Sequence, residues 1–323
     1  MIHYPVGRSG HLKRLWNCLK TRPIRIIQLQ YPTAVFSGYR LILSLLIIRL
    51  RFHDIRIVTT IHEILPYLMT SWRRRIRFSG YFLRLFLLIL ISDRLISTNR
   101  QESEWLKRYH SKVRVIPIGG MTPISSGNPI IPAMPERYAV FFGNIHSGKR
   151  LDLIIEAWAA LKSADDYWVI CYGNQETRLL QQLDHQIERL GIKKQILFYH
   201  GLDNDTILKI LQGSRGVILP YQGGITPRSM VLQTVLAGRR PILAEVGPQT
   251  PFWLKQILPL TYSLPCPSTA ITGKIRRMMD SESESTSDTS RMEVIRRYFS
   301  WPSIAAKYFN LYCEIMRFPD SCR

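Results

Sequence analysis

The 323-residue chain carries three short segments whose residue types and spacing could do chemistry. The best defined is Pro220–Gly238 (PYQGGITPRSMVLQTVLAG). A continuously apolar run ends there, Gly223 and Gly224 follow, and Thr226 and Pro227 read as the N-cap and first position of a helix that Gly238 closes. The glycine pair leaves room for a diphosphate beside the N–H groups near Pro227–Ser229. The helix dipole favours negative charge at that end, and Arg228 adds a fixed cation. Gln233, four residues beyond Ser229, projects its amide from the same helix face. The plainer alternative is a well-capped structural helix with an exposed arginine.

The second segment is Phe142–Asp152 (FGNIHSGKRLD), where a strand stops at Gly143, a loop carries His146 and Lys149, and a helix begins. Gly143 lets backbone approach a ligand, and a lysine beside a helix start can meet phosphate; taken alone, a loop lysine is also an ordinary solvated one. The third is Thr59–Pro66 (TTIHEILP), which ends a strand on His62 and Glu63. A histidine there can hydrogen-bond or shuttle a proton near neutrality, or simply be a satisfied structural residue. Asp165 and Asp166 precede a strand with no third ligand near them, so they read as a turn rather than a metal site. The five cysteines are scattered and include no CxxC pair, which excludes a readable zinc module or disulfide framework and favours a reducing compartment.

These segments must be positioned by the elements around them. Nearly continuous apolar runs predict strands at Ile24–Gln30, Ile55–Ile61, Arg94–Thr98 and Val113–Ile118, then at Tyr138–Gly143, Trp168–Gly173, Gln195–His200, Gly216–Pro220 and Pro241–Glu245. Helical patterns lie between most of them. Leu151, Ile154, Ile155 and Trp158 share one face of Leu151–Lys162, and Ile207, Ile210 and Leu211 share one face of the next. Strand–helix alternation of this kind predicts doubly wound α/β units. Gly119–Arg137, rich in Gly, Pro and Ser, reads as a linker, and the polar, acidic Asp280–Ser290 as a mobile loop. Beyond it Ser300 and Pro302 fit a helix start, with Ile304, Ala305, Tyr308, Phe309 and Tyr312 forming an apolar stripe. Two open α/β domains place a ligand in a shared cleft at the carboxyl ends of their strands.

Composition (46% apolar, 21% charged) excludes global disorder. The formal charge is +21, and 21 Lys and Arg against 5 Asp and Glu put +16 of it in residues 1–132. Such asymmetry points to a basic surface that meets phosphates, of nucleic acid or of anionic lipid. No zinc-finger or RNA-recognition signature accompanies it. Instead Tyr39–Phe52 and Ser71–Ser92 (SWRRRIRFSGYFLRLFLLILIS) mix arginines with bulky apolar residues at helical spacing, which suits helices lying in a membrane interface. Ordinary packing helices with solvated arginines are the alternative. The apolar runs Leu41–Ile48 and Leu85–Ser92 fall far short of the roughly 20 residues of a spanning helix. The N-terminal residues MIHYPVGRSGHLKRL show no apolar secretory core, so the expectation is a cytosolic, peripheral protein.

Several segments, in order, resemble glycosyltransferase group 1 (family-4-like) enzymes of the GT-B fold. FFGNIHSGKRLDLIIEAW is similar to the family's strand, lysine loop and L-I-E-A helix, and ICYGNQE to its G-x-G-x-E stretch. HGLDNDTILKILQGSRGVILPY and VLQTVLAGRRPILAEVG resemble its next helix–strand pair and its LEAMACGKPVVATDVGG segment. QLQYP, VTTIHEILPY, RLISTNRQESEWLKRY and VRVIPIGG follow the order of its first half, and FSWPSIAAKYFNLY its closing helix. The resemblance implies two Rossmann-like domains facing a cleft: residues 1–125 on the acceptor, membrane-facing side, residues 126–300 binding nucleotide-sugar, and a helix at 301–323 crossing back to the first domain.

The same resemblance implies a metal-independent hexosyltransferase without a cofactor, its nucleotide-sugar being a substrate. The acceptor would be a lipid-linked or growing polysaccharide in exopolysaccharide or cell-surface glycan synthesis, on the inner face of the cell membrane and with no nucleic acid involved. Lys149 matches the lysine that neutralises the donor diphosphate, and Gly143–Asn144 stand where the family has Gly-Arg. Gly224, Thr226, Arg228 and Ser229 complete the implied donor site; Gly173, His200 and Gln233 are the implied nucleoside contacts, and His62 the catalytic contact to the transferred sugar. The family's Glu-x7-Glu acids fall on Ile225 and Gln233. That departure keeps a second reading open, a catalytically inactive relative serving as a binding or scaffold subunit. Nucleotide-sugar turnover that depends on Lys149 separates the two.

Overall fold

The computed structural model describes residues 11–31, 39–62, 64, 79–119, 131–280 and 286–316. The chain divides into two compact units, Met1–Pro117 with Ala305–Arg323, and Ile118–Ile304.

The first unit is built on a four-stranded parallel sheet in the order β1-β2-β3-β4. The strands are β1 (Ile26–Tyr31), β2 (Arg56–Ile61), β3 (Arg94–Ser97) and β4 (Val113–Val115). Helix α1 (His11–Thr21) precedes β1, and α2 (Tyr39–Arg51), α3 (Ser79–Ile91) and α4 (Arg100–Leu106) connect the strands in turn. Five of the six β2 residues are buried, as its continuously apolar-to-threonine run requires. Ile57 and Ile61 meet Ile42, Leu45 and Ile48 of α2 and Leu85, Leu88 and Ile89 of α3. Asn99 caps α4 by accepting from the Glu102 N–H (2.8 Å). Arg73, Arg74, Arg75 and Arg77, which the sequence places in an interfacial helix, and Glu63 lie outside the described residues.

The second unit holds a six-stranded sheet, all parallel, in the order β10-β9-β8-β5-β6-β7. It runs β5 (Tyr138–Phe142), α5 (Leu151–Ala159), β6 (Tyr167–Tyr172), α6 (Thr177–Arg189), β7 (Ile196–His200), α7 (Asn204–Gly213) and β8 (Gly216–Leu219). Then come α8 (Met230–Ala237), β9 (Ile242–Glu245), α9 (Phe252–Ile257), β10 (Leu260–Tyr262), α10 (Ser268–Asp280) and α11 (Thr286–Phe299). Both faces are covered. Ile154, Ile155 and Trp158 of α5 pack on one face with α6 and α10, Trp158 stacking on Trp168 at 6.1 Å. Ile207, Ile210 and Leu211 of α7 pack on the other with α8, α9 and α11. The strand order reverses between β5 and β8, where a doubly wound sheet opens a crevice at its carboxyl edge.

All nine predicted strands form, with bounds shifted by up to three residues. β10 is a short edge strand that composition does not announce. Helix α5 ends three residues early, because Lys162 turns out at φ +53° and leads the chain into β6. The Asp280–Ser290 loop is corrected: Asp280 ends α10 and Thr286 begins α11, while residues 281–285 lie outside the described set. Asp166 is a turn residue, its carboxylate accepting from Arg137 Nε at 2.9 Å. The last helix, α12 (Trp301–Met316), buries Ile304, Leu311 and Cys313, so its stripe differs from the predicted one, and Ala305 and Phe309 are exposed. From Ala305 on it belongs to the first unit, where Tyr312 Oη donates to Gln28 Oε1 (3.1 Å) and Tyr308 Oη pairs with Thr60 Oγ1 (3.2 Å).

Candidate functional site

The site is assembled at the carboxyl ends of β5, β6 and β8. Gly143 leaves β5 at φ +145°, and its N–H still bonds to the Cys171 carbonyl of β6 (3.1 Å). Asn144 Oδ1 accepts from the Asn174 N–H (3.1 Å), which ties the loop after β5 to the loop after β6. A tight turn, Ser147–Lys149, follows, with His146 at its start: His146 Nδ1 accepts from the Gly148 N–H (3.2 Å), so the proton of the neutral ring sits on Nε2. Burial and the neighbouring Lys149 hold the His146 pKa below its ordinary value.

Lys149 is only 7% exposed. Its Nζ lies 3.0 Å from the centroid of the Tyr221 ring, and the Gly148 carbonyl accepts from the Gln222 N–H (2.9 Å). The lysine loop and the loop after β8 are thereby locked together. Among the described residues Lys149 makes no ion pair, and desolvation pulls its pKa down to about 7. Burial pushes the Tyr221 phenol up to about 12, so the ring that faces the ammonium stays neutral. Tyr221 Oη accepts from Ser229 Oγ at 3.4 Å.

Beside this pair opens a cavity of about 240 Å³, lined by Gly143, Asn144, Tyr172, Gly173, Asn204 and Val231 among others. A methyl group on Gly143 would touch Val231 and approach the Tyr221 hydroxyl, so this glycine borders both the cavity and the ring that lies under Lys149. His200, at the end of β7, stacks obliquely on Tyr172 with centroids 5.0 Å apart. The structure thus brings together Gly143, Asn144, Lys149, Gly173, His200 and Ser229, on neighbouring strand ends of one unit. His62 belongs to the other unit, where its Nε2 pairs with Gln30 Oε1 (2.8 Å) and its carbonyl accepts from Thr98 Oγ1 (3.3 Å).

Three expectations at the β8–α8 loop are corrected. The helix begins at Met230, not Pro227, because the Ser229 N–H bonds to the Thr226 carbonyl (3.1 Å) and closes a turn there. Ser229 is the cap, its Oγ accepting from the Leu232 N–H (3.2 Å). The N–H groups with no acceptor inside the helix are therefore those of Met230 and Val231. Secondly, the glycine pair leaves no room for a ligand. Gly224 sits at φ +96° against Gly247 and Thr250, where a Cβ would collide, and its N–H goes to the Tyr221 carbonyl (2.8 Å). Thirdly, Gln233 is 4% exposed and gives its Nε2 to the Pro227 carbonyl (3.0 Å), so it braces the turn instead of projecting outward. Ile225 is fully buried in the core. Arg228 and Thr226 are half-buried on the same turn.

Sequence reasoning passed over Tyr221 and Glu245. An aromatic residue just after a buried strand (LPY) was the available sign for the first; a lone acid closing an apolar strand (PILAE) was the sign for the second.

Residues 130–229, which contain the Lys149 loop and reach the cap of α8, match the family described as glycosyl transferases group 1. That match takes in 100 of the 323 residues. In structure the chain is similar to sucrose-phosphate synthase from Thermosynechococcus elongatus (TM-score 0.66, 16% identity, 95% of this chain and 77% of that one). It is similar also to Anabaena Alr3699/HepE, solved with UDP (0.68, 11%, 94% and 82%). A third is WaaG, a glycosyltransferase of lipopolysaccharide biosynthesis (0.55, 13%, 98% and 84%). At these identities the likeness establishes the fold: two parallel-sheet α/β units of the GT-B kind. No curated protein matches the chain by sequence. Among the described residues no cluster could hold a metal ion, and no helix is long and apolar enough to cross a membrane. The matched residues contain Lys149 and end at Ser229, the cap of α8.

Proposed function

We propose that this chain transfers a hexose from a nucleotide-sugar donor to a lipid-linked or growing polysaccharide acceptor. The observation that carries the reading is Lys149: a buried ammonium with no anionic partner among the described residues, in the loop that follows Gly143 and Asn144 of the strand-end cavity. Burying an uncompensated cation costs free energy, and an anion arriving at the site recovers it. Glycosyl transfer asks mainly for stabilisation of the departing diphosphate. Lys149, Arg228 and the N–H groups of Met230 and Val231 are fixed positive groups suited to that task, and removing one such donor typically costs about 10²–10³ in rate. Gly173 and His200 are assigned to the nucleoside, Asn144 to the donor diphosphate and sugar, and His62 to the transferred sugar. The Anabaena neighbour was solved with UDP and UDP-glucose, which makes uridine donors the first to try.

The acceptor side is assigned to the first unit and to an anionic membrane surface on the cytoplasmic face, as a peripheral association in exopolysaccharide or cell-surface glycan synthesis. Two features support it. The net charge of residues 1–132 is +16. The outward faces of α2 and α3, which pack against each other, expose Leu43, Leu46, Ile47 and Leu50, and Leu83, Phe86 and Leu90. An ordinary surface helix is polar on that face.

The test is a thermal-shift screen of UDP, GDP, CDP and their sugars, followed by turnover with the donor that binds. A ligand at 100 times its Kd raises stability by about 2.7 kcal/mol. Binding and turnover that both vanish in Lys149→Ala support the assignment; activity indifferent to that substitution sinks it. A second reading, a non-catalytic binding subunit, is favoured by the burial of Ile225 and Gln233, since neither can offer a carboxylate to a sugar. Nucleotide binding without any turnover selects it.

A further inference from the structure

Glu245 ends β9 at 2% exposure, directly beneath the loop that carries Tyr221. It grips that loop twice. Its Oε1 accepts from the Gly223 N–H (3.1 Å), and its backbone carbonyl accepts from the Ile225 N–H (2.9 Å). The segment after β9 closes the clasp: the Gln249 N–H donates to the Gly223 carbonyl (3.1 Å), and Gly247 and Thr250 pack on Gly224. From Gly223 the constraint runs back through two residues. Gln222 bonds to Gly148, and the Tyr221 ring lies under Lys149. The Oε2 atom of Glu245 is buried with no hydrogen-bond partner among the described residues, so a costly group is kept where an apolar one would fill the same space.

We propose that Glu245 is a positioning residue for Lys149, acting through the Tyr221–Gly224 loop to hold the Tyr221 ring beneath the ammonium. The functional consequence rests on the reading of Lys149 as the cation for the donor diphosphate; the structural claim does not. Both positions matched to the family's acids lie in the core or on the turn, whereas Glu245 places a carboxyl group directly on the loop after β8. Its role is that of a hydrogen-bond acceptor for Gly223. The charged and titratable groups around it are Arg150, at the start of α5, and Tyr262 and Cys266, in and beyond β10. Those facing Lys149 are Tyr221 and His146.

The test reads Lys149 itself, without ligand. Lysine acetylation by limiting acetic anhydride is followed peptide by peptide between about pH 6 and 10, a range that spans the lowered and ordinary lysine values. It compares the whole wild-type chain with Glu245→Gln and Glu245→Met. Glutamine keeps an acceptor oxygen and is expected to keep the wild-type titration of Lys149. Methionine has none, so the loop loosens, water reaches Lys149, and the midpoint of its labelling moves up by at least about one pH unit, which lowers labelling at pH 7 relative to its high-pH plateau by about fivefold or more. Thermal melts report whether each variant is folded. A folded Glu245→Met with an unchanged Lys149 titration overturns the proposal, as does a Glu245→Gln that behaves like methionine. Should Glu245→Met not fold, amide exchange of Gly223 in the wild-type chain decides: slow exchange supports the clasp, and exchange at open-loop rates overturns it. Absence of nucleotide binding by the wild type refutes the donor reading alone and leaves these readouts intact.

Discussion

Lys149 Nζ lies 3.0 Å from the centroid of the Tyr221 ring, and this pairing joins the loop after β5 to the loop after β8. The ring face offers an electrostatic partner without a negative charge. The lysine is thus held in place without an anionic partner among the described residues, and the first prediction follows from its titration.

Nucleotide affinity should fall as pH rises through neutrality. The free protein loses the Lys149 proton near pH 7, whereas an anion stabilises the charged form and raises its pKa. Below about pH 7 the lysine is already protonated and binding takes up no proton from it. Above that, binding of UDP must take one up, and affinity declines by up to about tenfold per pH unit until the raised pKa of the complex is reached. Calorimetric titration in buffers of different ionisation heat measures both the affinity and the proton uptake. Lys149→Ala should bind weakly and lose this slope, and a wild-type affinity flat above neutrality contradicts the assignment.

The same burial makes Lys149 a stability liability. Its folded pKa lies below the unfolded value, so the unfolded chain binds more protons between about pH 7 and 10. The sign is therefore that this group's penalty is largest below pH 7 and fades as pH rises toward the unfolded lysine value. Lys149→Met should raise stability by a few kcal/mol at pH 6 to 7, an order-of-magnitude figure from the pKa difference, and by progressively less at higher pH. Urea melts of the two proteins across that range check it. A difference that grows with pH has the wrong sign.

Gly224→Ala should be far more damaging than Gly191→Ala. Both glycines have positive φ, +96° and +70°, so both substitutions meet backbone strain. Only at Gly224 would the new methyl also collide, with the Gly247 nitrogen and Thr250 Oγ1; at Gly191 nothing lies within 4 Å. Strain alone costs about 1 kcal/mol, and overpacking adds about 1–3. Denaturant midpoints for the pair separate the two terms, and nucleotide affinity should drop in Gly224→Ala only, because its loop carries Tyr221.

The elements were legible in the sequence for a simple reason: strands covered on both faces, such as IRIVTTI and WVICYG, are apolar almost throughout. The start of α8 was not. Thr226 and Pro227 satisfy local capping preferences, yet the Ile225 N–H is taken by the Glu245 carbonyl and Gly224 is pinned under Gly247, so the chain closes a turn and starts its helix three residues later. Glycines read as space for a ligand became space for a neighbouring loop. The identity of Lys149 was visible, but its burial was not, since that depends on Tyr221 far along the chain. Local patterns named the residues; which of them met was decided by the parallel sheet order, with β8 beside β5.

The apolar outer faces of α2 and α3 make a last expectation. Leu50 and Leu90 are 67% and 62% exposed, and they continue the rows formed by Leu43, Leu46 and Ile47 on one helix and Leu83 and Phe86 on the other. Apolar side chains supply depth of insertion, and a basic surface supplies attraction to acidic headgroups. The chain should therefore sediment with vesicles containing phosphatidylglycerol and remain free with purely zwitterionic ones. Replacing Leu46, Leu50 and Leu90 together by glutamine removes three partly inserted side chains, each worth about 1 kcal/mol for partial burial, and should weaken vesicle binding by about 100-fold or more while leaving nucleotide binding unchanged. Raising salt should weaken the charge-driven part alone. If the triple variant binds vesicles like the wild type, these faces do not meet lipid; if it becomes monomeric where the wild type is a dimer, they meet a second copy of the chain instead.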